Sequence, residues 1–126
     1  MAYFSGFFFN QSAICRAAGQ KSETVSPQEF SRRLSTCHPV VLDVRTASEF
    51  SSGHISGALN SDFNQTAEFT SYLDTLDKNQ TYFIYCRTGK RSATAMKLMT
   101  DKGFKSVINL DGGITAWTAS GLPTIK

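Results

Sequence analysis

The sequence lacks a Cys-x-x-Cys pair and has only two histidines, His38 and His54, neither at metal-ligand spacing from a cysteine. No donor set for a structural metal can be assembled from it, so no metal site is expected. The cysteines number three (Cys15, Cys37 and Cys86), and an odd count in a chain of 126 residues argues against a disulfide framework. Read as reduced thiols, they point to a reducing compartment and a cytoplasmic location. Long apolar runs are missing too. Tyr3 to Phe9 is interrupted by Ser5 and Gly6, is preceded by no Lys or Arg, and is too short for a membrane span or a secretory signal. The first acid is Glu23, which leaves an organelle-targeting reading of the start open. Charge of one sign is scarce: the net value is +3, which gives no argument for a nucleic-acid partner.

What is present is an ordinary globular composition, 40% hydrophobic and 18% charged, in a chain long enough for one core. Residues 1–20 are expected to form a disordered or loosely packed extension, and residues 21–126 the domain. No internal repeat appears. From Glu23 onward, short elements alternate. Ser26-Pro27-Gln28-Glu29 opens a helix, with Ser as cap and Pro at the first helical position. Val40 to Val44 is a buried-strand run, and Thr46-Ala47-Ser48-Glu49 is a capping box. Ala58-Leu59-Asn60 is a brief strand, and Phe69, Leu73 and Leu76 form a helical stripe. Thr81 to Tyr85 is a second apolar strand, and residues 90–102 a helix stopped by Gly103. Val107 to Leu110 is the last strand, followed through Gly112-Gly113 by a helix carrying Trp117. This alternation predicts an α/β fold: a five-stranded, mainly parallel sheet with helices on both faces. Ligands of such sheets bind at the carboxyl ends of the strands, where Cys86 stands.

Cys86-Arg87-Thr88-Gly89-Lys90-Arg91-Ser92 is where the chemistry concentrates. A strand delivers the cysteine, a glycine lets the backbone curl with its N–H groups inward, and a helix begins. Arg87, Lys90 and Arg91 add three cations, with no acid between Asp77 and Asp101. Helix terminus, inward N–H groups and cations all favour thiolate over thiol, so Cys86 is expected to be a nucleophile with a depressed pKa. Cys15 and Cys37 have no such surroundings and read as structural thiols.

The spacing Cys-x-x-Gly-x-Arg-[Ser/Thr] resembles the active loop of single-domain rhodaneses. Leu42-Asp43-Val44-Arg45 with Glu49-Phe50, then Gly53-His54-Ile55 and Gly57-Ala58-Leu59-Asn60, resembles the family's first signature. Leu110-Asp111-Gly112-Gly113 with Trp117 and Gly121-Leu122-Pro123 resembles its ending. The likeness covers about residues 23 to 124. It implies a rhodanese-like fold and a thiosulfate sulfurtransferase: Cys86 takes a sulfane sulfur from a small anionic donor (thiosulfate or a persulfide) and passes it to cyanide, a low-molecular-weight thiol or a protein thiol. The loop Arg87, Thr88, Gly89, Lys90, Arg91 and Ser92 would cradle the sulfur and attract the donor, with no cofactor.

Around the loop, Arg45 and Glu49 are expected to pair across one helical turn, and Asp43 is a candidate for orienting the loop. His54 is read as a structural hydrogen-bonding group, since a thiolate needs no general base. Trp117 is read as core. A phosphatase or arsenate reductase would use Cys-x5-Arg, but the sixth position after the cysteine is Ser92 and the arginine comes one earlier. A persulfide carrier or an interaction module for a protein partner is the other alternative.

Overall fold

The computed structural model describes residues 22–126. The expectations for residues 1–20, Cys15 among them, lie outside the described residues. The strands are β1 (Glu23–Val25), β2 (Val40–Asp43), β3 (Leu59–Asn60), β4 (Thr81–Tyr85) and β5 (Ser106–Leu110). The described helices are α1 (Pro27–Cys37), α2 (Ala47–Ser51), α3 (Thr66–Leu73), α4 (Lys90–Asp101) and α5 (Gly113–Ala119). They make one five-stranded sheet in the order β1-β5-β4-β2-β3. Each of its pairings is parallel, so the expected "mainly parallel" sheet is parallel throughout.

Local chemistry sets the element boundaries. The Ser26 hydroxyl accepts from the Glu29 N–H at the start of α1, and Thr46 and Glu49 complete a reciprocal capping box at α2. β1 had no sequence signal: three residues, of which Val25 alone is buried, are too few for a periodicity to show. The Phe69 stripe is helical only to Leu73, and Leu76 reaches the core from the following turn.

The sheet divides the core in two. Along β4, Phe83 and Tyr85 face Phe30, Ile108, Leu110, Ile114 and Trp117 on the side of α1 and α5. Tyr82 and Ile84 face Leu42, Phe69, Leu73, Met99 and Val107 on the side of α3 and α4. This is the period-two alternation of a strand covered on both faces. Cys86, next in that alternation, falls with Tyr82 and Ile84 and is 1% exposed. Trp117 packs edge-on against Phe30 and donates its indole N–H to the Pro123 carbonyl at 2.8 Å, as its reading as core requires.

After β2 the chain moves outward to β3, and after β4 it moves the opposite way to β5. The switch point between β2 and β4 opens a crevice at their carboxyl ends, where Asp43 pairs in register with Tyr85. A buried ion pair lies beneath this crevice. Asp43 is fully buried, and its carboxylate accepts from Arg45 Nε at 3.0 Å and from Arg45 Nη2 at 2.6 Å. Arg45 also donates to the Gly53 carbonyl at 2.7 Å and lies over the Tyr85 ring. The expected Arg45–Glu49 pair is therefore corrected. Arg45 turns inward to satisfy a buried carboxylate two residues back, and Glu49 is engaged elsewhere. Removing one member leaves the other charge buried and unpaired. Asp43→Ala should therefore lower the unfolding free energy by about 3 kcal/mol or more. The double variant Asp43→Leu/Arg45→Met should lose less, as read from urea denaturation midpoints. A double loss equal to the sum of the singles would contradict coupling.

Candidate active site

The loop joining β4 to α4 wraps around the Cys86 sulfur. The Gly89 N–H points at Sγ at 3.0 Å, and the Ser92 hydroxyl, fully buried on the first turn of α4, lies 3.3 Å from it. Gly89 adopts φ of 101°, which a glycine reaches without strain, and that conformation brings its N–H round to the sulfur.

The other wall of the cradle is α5. The Ile114 N–H donates to the Cys86 carbonyl at 2.9 Å, and the Thr115 N–H to the Arg87 carbonyl at 3.1 Å. A trans peptide points its carbonyl and its N–H in opposite directions. Drawing the Arg87 carbonyl toward α5 therefore turns the Thr88 N–H toward the sulfur, and that N–H is among the groups stabilising the thiolate. The contact is backbone against backbone: a Cβ at Gly113 would stand 2.4 Å from the Arg87 oxygen.

Burial pushes the Cys86 thiol up. The Ser92 hydroxyl, then the N–H groups of Ser92, Gly89 and Thr88, outweigh it, and the pKa falls below the ordinary thiol range. The direction matches the sequence expectation, and so does the share given to the inward N–H groups; the cations carry less than expected. Hydrogen-bond donors lead, and of the three loop cations one is already committed. Glu49 reaches across from α2 and binds Arg91 in a two-pronged pair, Nη1 to Oε1 at 2.9 Å and Nη2 to Oε2 at 3.0 Å. Arg91, followed by the Thr46 groups of the capping box, draws the Glu49 carboxyl down to about 2 against the pull of burial, so the pair persists well into acid. The Glu49 capping box is legible in the local sequence, but this role is not, because 42 residues separate Glu49 from Arg91. Arg87 and Lys90 remain exposed, with Arg87 only at 4.0 Å from Glu49. Thr88 is exposed at the loop tip.

The remaining candidates sort by distance from the sulfur. Asp43 and Arg45 support the crevice from below rather than touching Cys86, with Arg45 stacked on Tyr85 beside it. Tyr85 accepts from the Ile55 N–H at 3.0 Å, and burial pushes its phenol far up. His54 engages the Phe50 carbonyl through Nδ1 at 2.9 Å and stacks on the Phe50 ring, the structural arrangement expected of it. Cys86 is a free thiol. Cys37 is disulfide-bonded, so the expectation of a reduced thiol there is corrected. Among the described residues no cluster of side chains could hold a metal ion, and no helix is long and apolar enough to cross a membrane.

This architecture has relatives. Residues 26–120 match the Rhodanese-like domain, and the chain belongs to that family. A tRNA uridine(34) hydroxylase of Chlamydia abortus is 36% identical over 98 residues, which cover 74% of this chain and 30% of the relative. The chain thus spans about a third of the length of the curated relatives it matches. The rhodanese-like domain of an Anabaena protein superposes with a TM-score of 0.71 at 28% identity, covering 81% of this chain and 77% of that one. A thiosulfate sulfurtransferase of Pseudomonas aeruginosa superposes with a TM-score of 0.66 at 26% identity, covering 86% of this chain and 20% of that one.

The hydrogen-bond account of the thiolate makes a graded prediction. Ser92→Ala removes the hydroxyl nearest Sγ and should raise the pH at half-maximal alkylation of Cys86 by iodoacetamide. Lys90→Ala removes only an exposed charge, screened by water, and should raise it less. The reverse order would restore the cations as the main cause.

Proposed function

We propose that the chain is a sulfurtransferase working through a persulfide on Cys86. The observation that carries this reading is the cradle itself: a buried sulfur with Gly89 N–H at 3.0 Å and Ser92 hydroxyl at 3.3 Å, at the carboxyl end of a central strand. The thiolate attacks the outer sulfur of thiosulfate. The S–S bond of the donor breaks, sulfite leaves with the electron pair, and a new S–S bond forms on Sγ. The terminal persulfide sulfur carries the negative charge, and the loop N–H groups that face Sγ are placed to receive it. A nucleophilic acceptor then takes the outer sulfur and returns the thiolate. No redox partner enters, because the transferred sulfur keeps its oxidation state. Arg87 and Lys90, the two exposed loop cations, attract the anionic donor.

The phosphatase alternative fits the geometry less well. A phosphate-cradling loop needs its arginine free to hold equatorial oxygens, whereas Arg91 is held by Glu49 through both terminal nitrogens. The ring is also one residue shorter than Cys-x5-Arg. A second reading draws on the relatives named tRNA uridine(34) hydroxylase: the Cys86 loop as one working part of a longer tRNA-modifying protein. Retention of the chain on immobilised tRNA at physiological salt would favour it.

Cys86→Ser should abolish thiosulfate:cyanide sulfurtransfer with the fold unchanged by circular dichroism, while Cys37→Ser should keep most of the activity. The unmodified protein should leave aryl phosphates untouched. Aryl phosphate turnover at or above the thiosulfate rate would overturn the sulfurtransferase reading.

A further inference from the structure

A carboxylate from α2 meets the cations of the Cys86 loop. Glu49, the third residue of that helix, binds Arg91 through both oxygens, at 2.9 and 3.0 Å, and its Oε2 lies 4.0 Å from Arg87 Nε. Arg91 is the second residue of α4, directly before Ser92, whose hydroxyl lies 3.3 Å from Sγ. The charge of Cys86 acts on Arg91 as well. Glu49 is itself held in place, because its Oε1 accepts from the N–H and the hydroxyl of Thr46, each at 3.1 Å. Both side chains of the Glu49–Arg91 pair are about three-quarters buried, and the Glu49 carboxyl, drawn down to about 2, is charged throughout the neutral range.

A guanidinium fork matches one oxyanion, and two parallel N–H bonds to a carboxylate engage it as two bonds to a phosphate or a sulfite would. Glu49 therefore occupies, from within the chain, the place on Arg91 that such an anion would take. An incoming oxyanion would have to break two charge-assisted bonds and would then lie against an unpaired carboxylate of like charge. The sulfur chemistry does not require this fork. The Gly89 N–H and the Ser92 hydroxyl face Sγ without it, and Arg87 and Lys90 remain exposed to attract a donor.

We propose that Glu49 is a specificity-determining residue: by filling the Arg91 fork it keeps tetrahedral oxyanions from lodging at the rim of the Cys86 loop. The exclusion covers phosphate, arsenate and sulfate. It also covers sulfite, the leaving group of the proposed reaction, which a free fork would retain beside the newly formed persulfide. The inference rests on the sulfurtransferase reading for the substrate that is favoured, but not for the anions that are excluded. Glu49 takes no part in bond making or breaking; it acts through Arg91, by competition for its donors.

The test reads inorganic phosphate binding from the rate at which iodoacetamide alkylates Cys86, with ionic strength matched by chloride. An anion held at the rim slows alkylation by covering the sulfur and by disfavouring its charged form. The wild-type protein should be alkylated equally fast in phosphate and in chloride. Glu49→Gln keeps an oxygen for the Thr46 cap but gives up the charge and one prong of the pair. Phosphate should slow its alkylation at concentrations at least about tenfold below any that affect the wild type, the scale of one charge-assisted hydrogen bond. Glu49→Asp, one methylene short of the fork, should respond in the same direction and serves if Glu49→Gln does not fold. Glu49→Gln/Arg91→Gln removes the freed fork and should return to the wild-type response, which a loop merely loosened by the loss of Glu49 would not do. Protection of the wild-type protein, no protection in the single variants, or protection that survives in the double variant would overturn the proposal. The predicted order of phosphate responses without any sulfur transfer by the wild type would sustain the role of Glu49 and remove the sulfurtransferase reading. Sulfur transfer with equal phosphate responses would do the opposite.

Discussion

The close contact between the Gly112-Gly113 turn and the start of the Cys86 loop is the constraint on which the site depends. Two backbones meet where any side chain at Gly113 would collide with the Arg87 carbonyl. Because they meet, α5 takes the carbonyls of Cys86 and Arg87, and the N–H groups that follow are left to converge on the sulfur. The cradle is therefore made by two segments about 25 residues apart, and neither forms it alone. The burial that excludes water from Sγ would by itself favour the neutral thiol. The ring of donors reverses that preference without placing a charge in contact with the sulfur.

Charge is organised one step further out. Asp43–Arg45 is buried beneath the crevice, and Glu49–Arg91 closes its rim, so two of the arginines nearest the loop are neutralised by partners. What remains, Arg87 and Lys90, is exposed and movable. This division separates holding from attracting. The closely paired arginines hold the crevice walls, and the exposed cations are the ones that, on the proposed function, would attract an anionic donor.

Much of this was legible in the chain. Caps at Ser26 and Thr46, the apolar runs at β2, β4 and β5, and the glycine after Cys86 are local signals, and local signals specify local structure. Cys86 stood out because its neighbours in sequence are also its neighbours in space. Pairings across the fold were not legible. Even a local pairing misleads at Arg45: helical spacing points to Glu49, but a strand end turns the arginine back onto the carboxylate two residues earlier. Arg91 counted as a free cation because its partner lies on another helix.

The central claim is that Cys86 holds a transferable sulfur, and intact-mass spectrometry of the native protein after exposure to thiosulfate tests it most directly. The account predicts a gain of one sulfur atom per chain, localised to the peptide containing Cys86, lost on addition of cyanide with release of thiocyanate, and absent from Cys86→Ser. An unchanged mass, or an added sulfur that persists in Cys86→Ser, would contradict it.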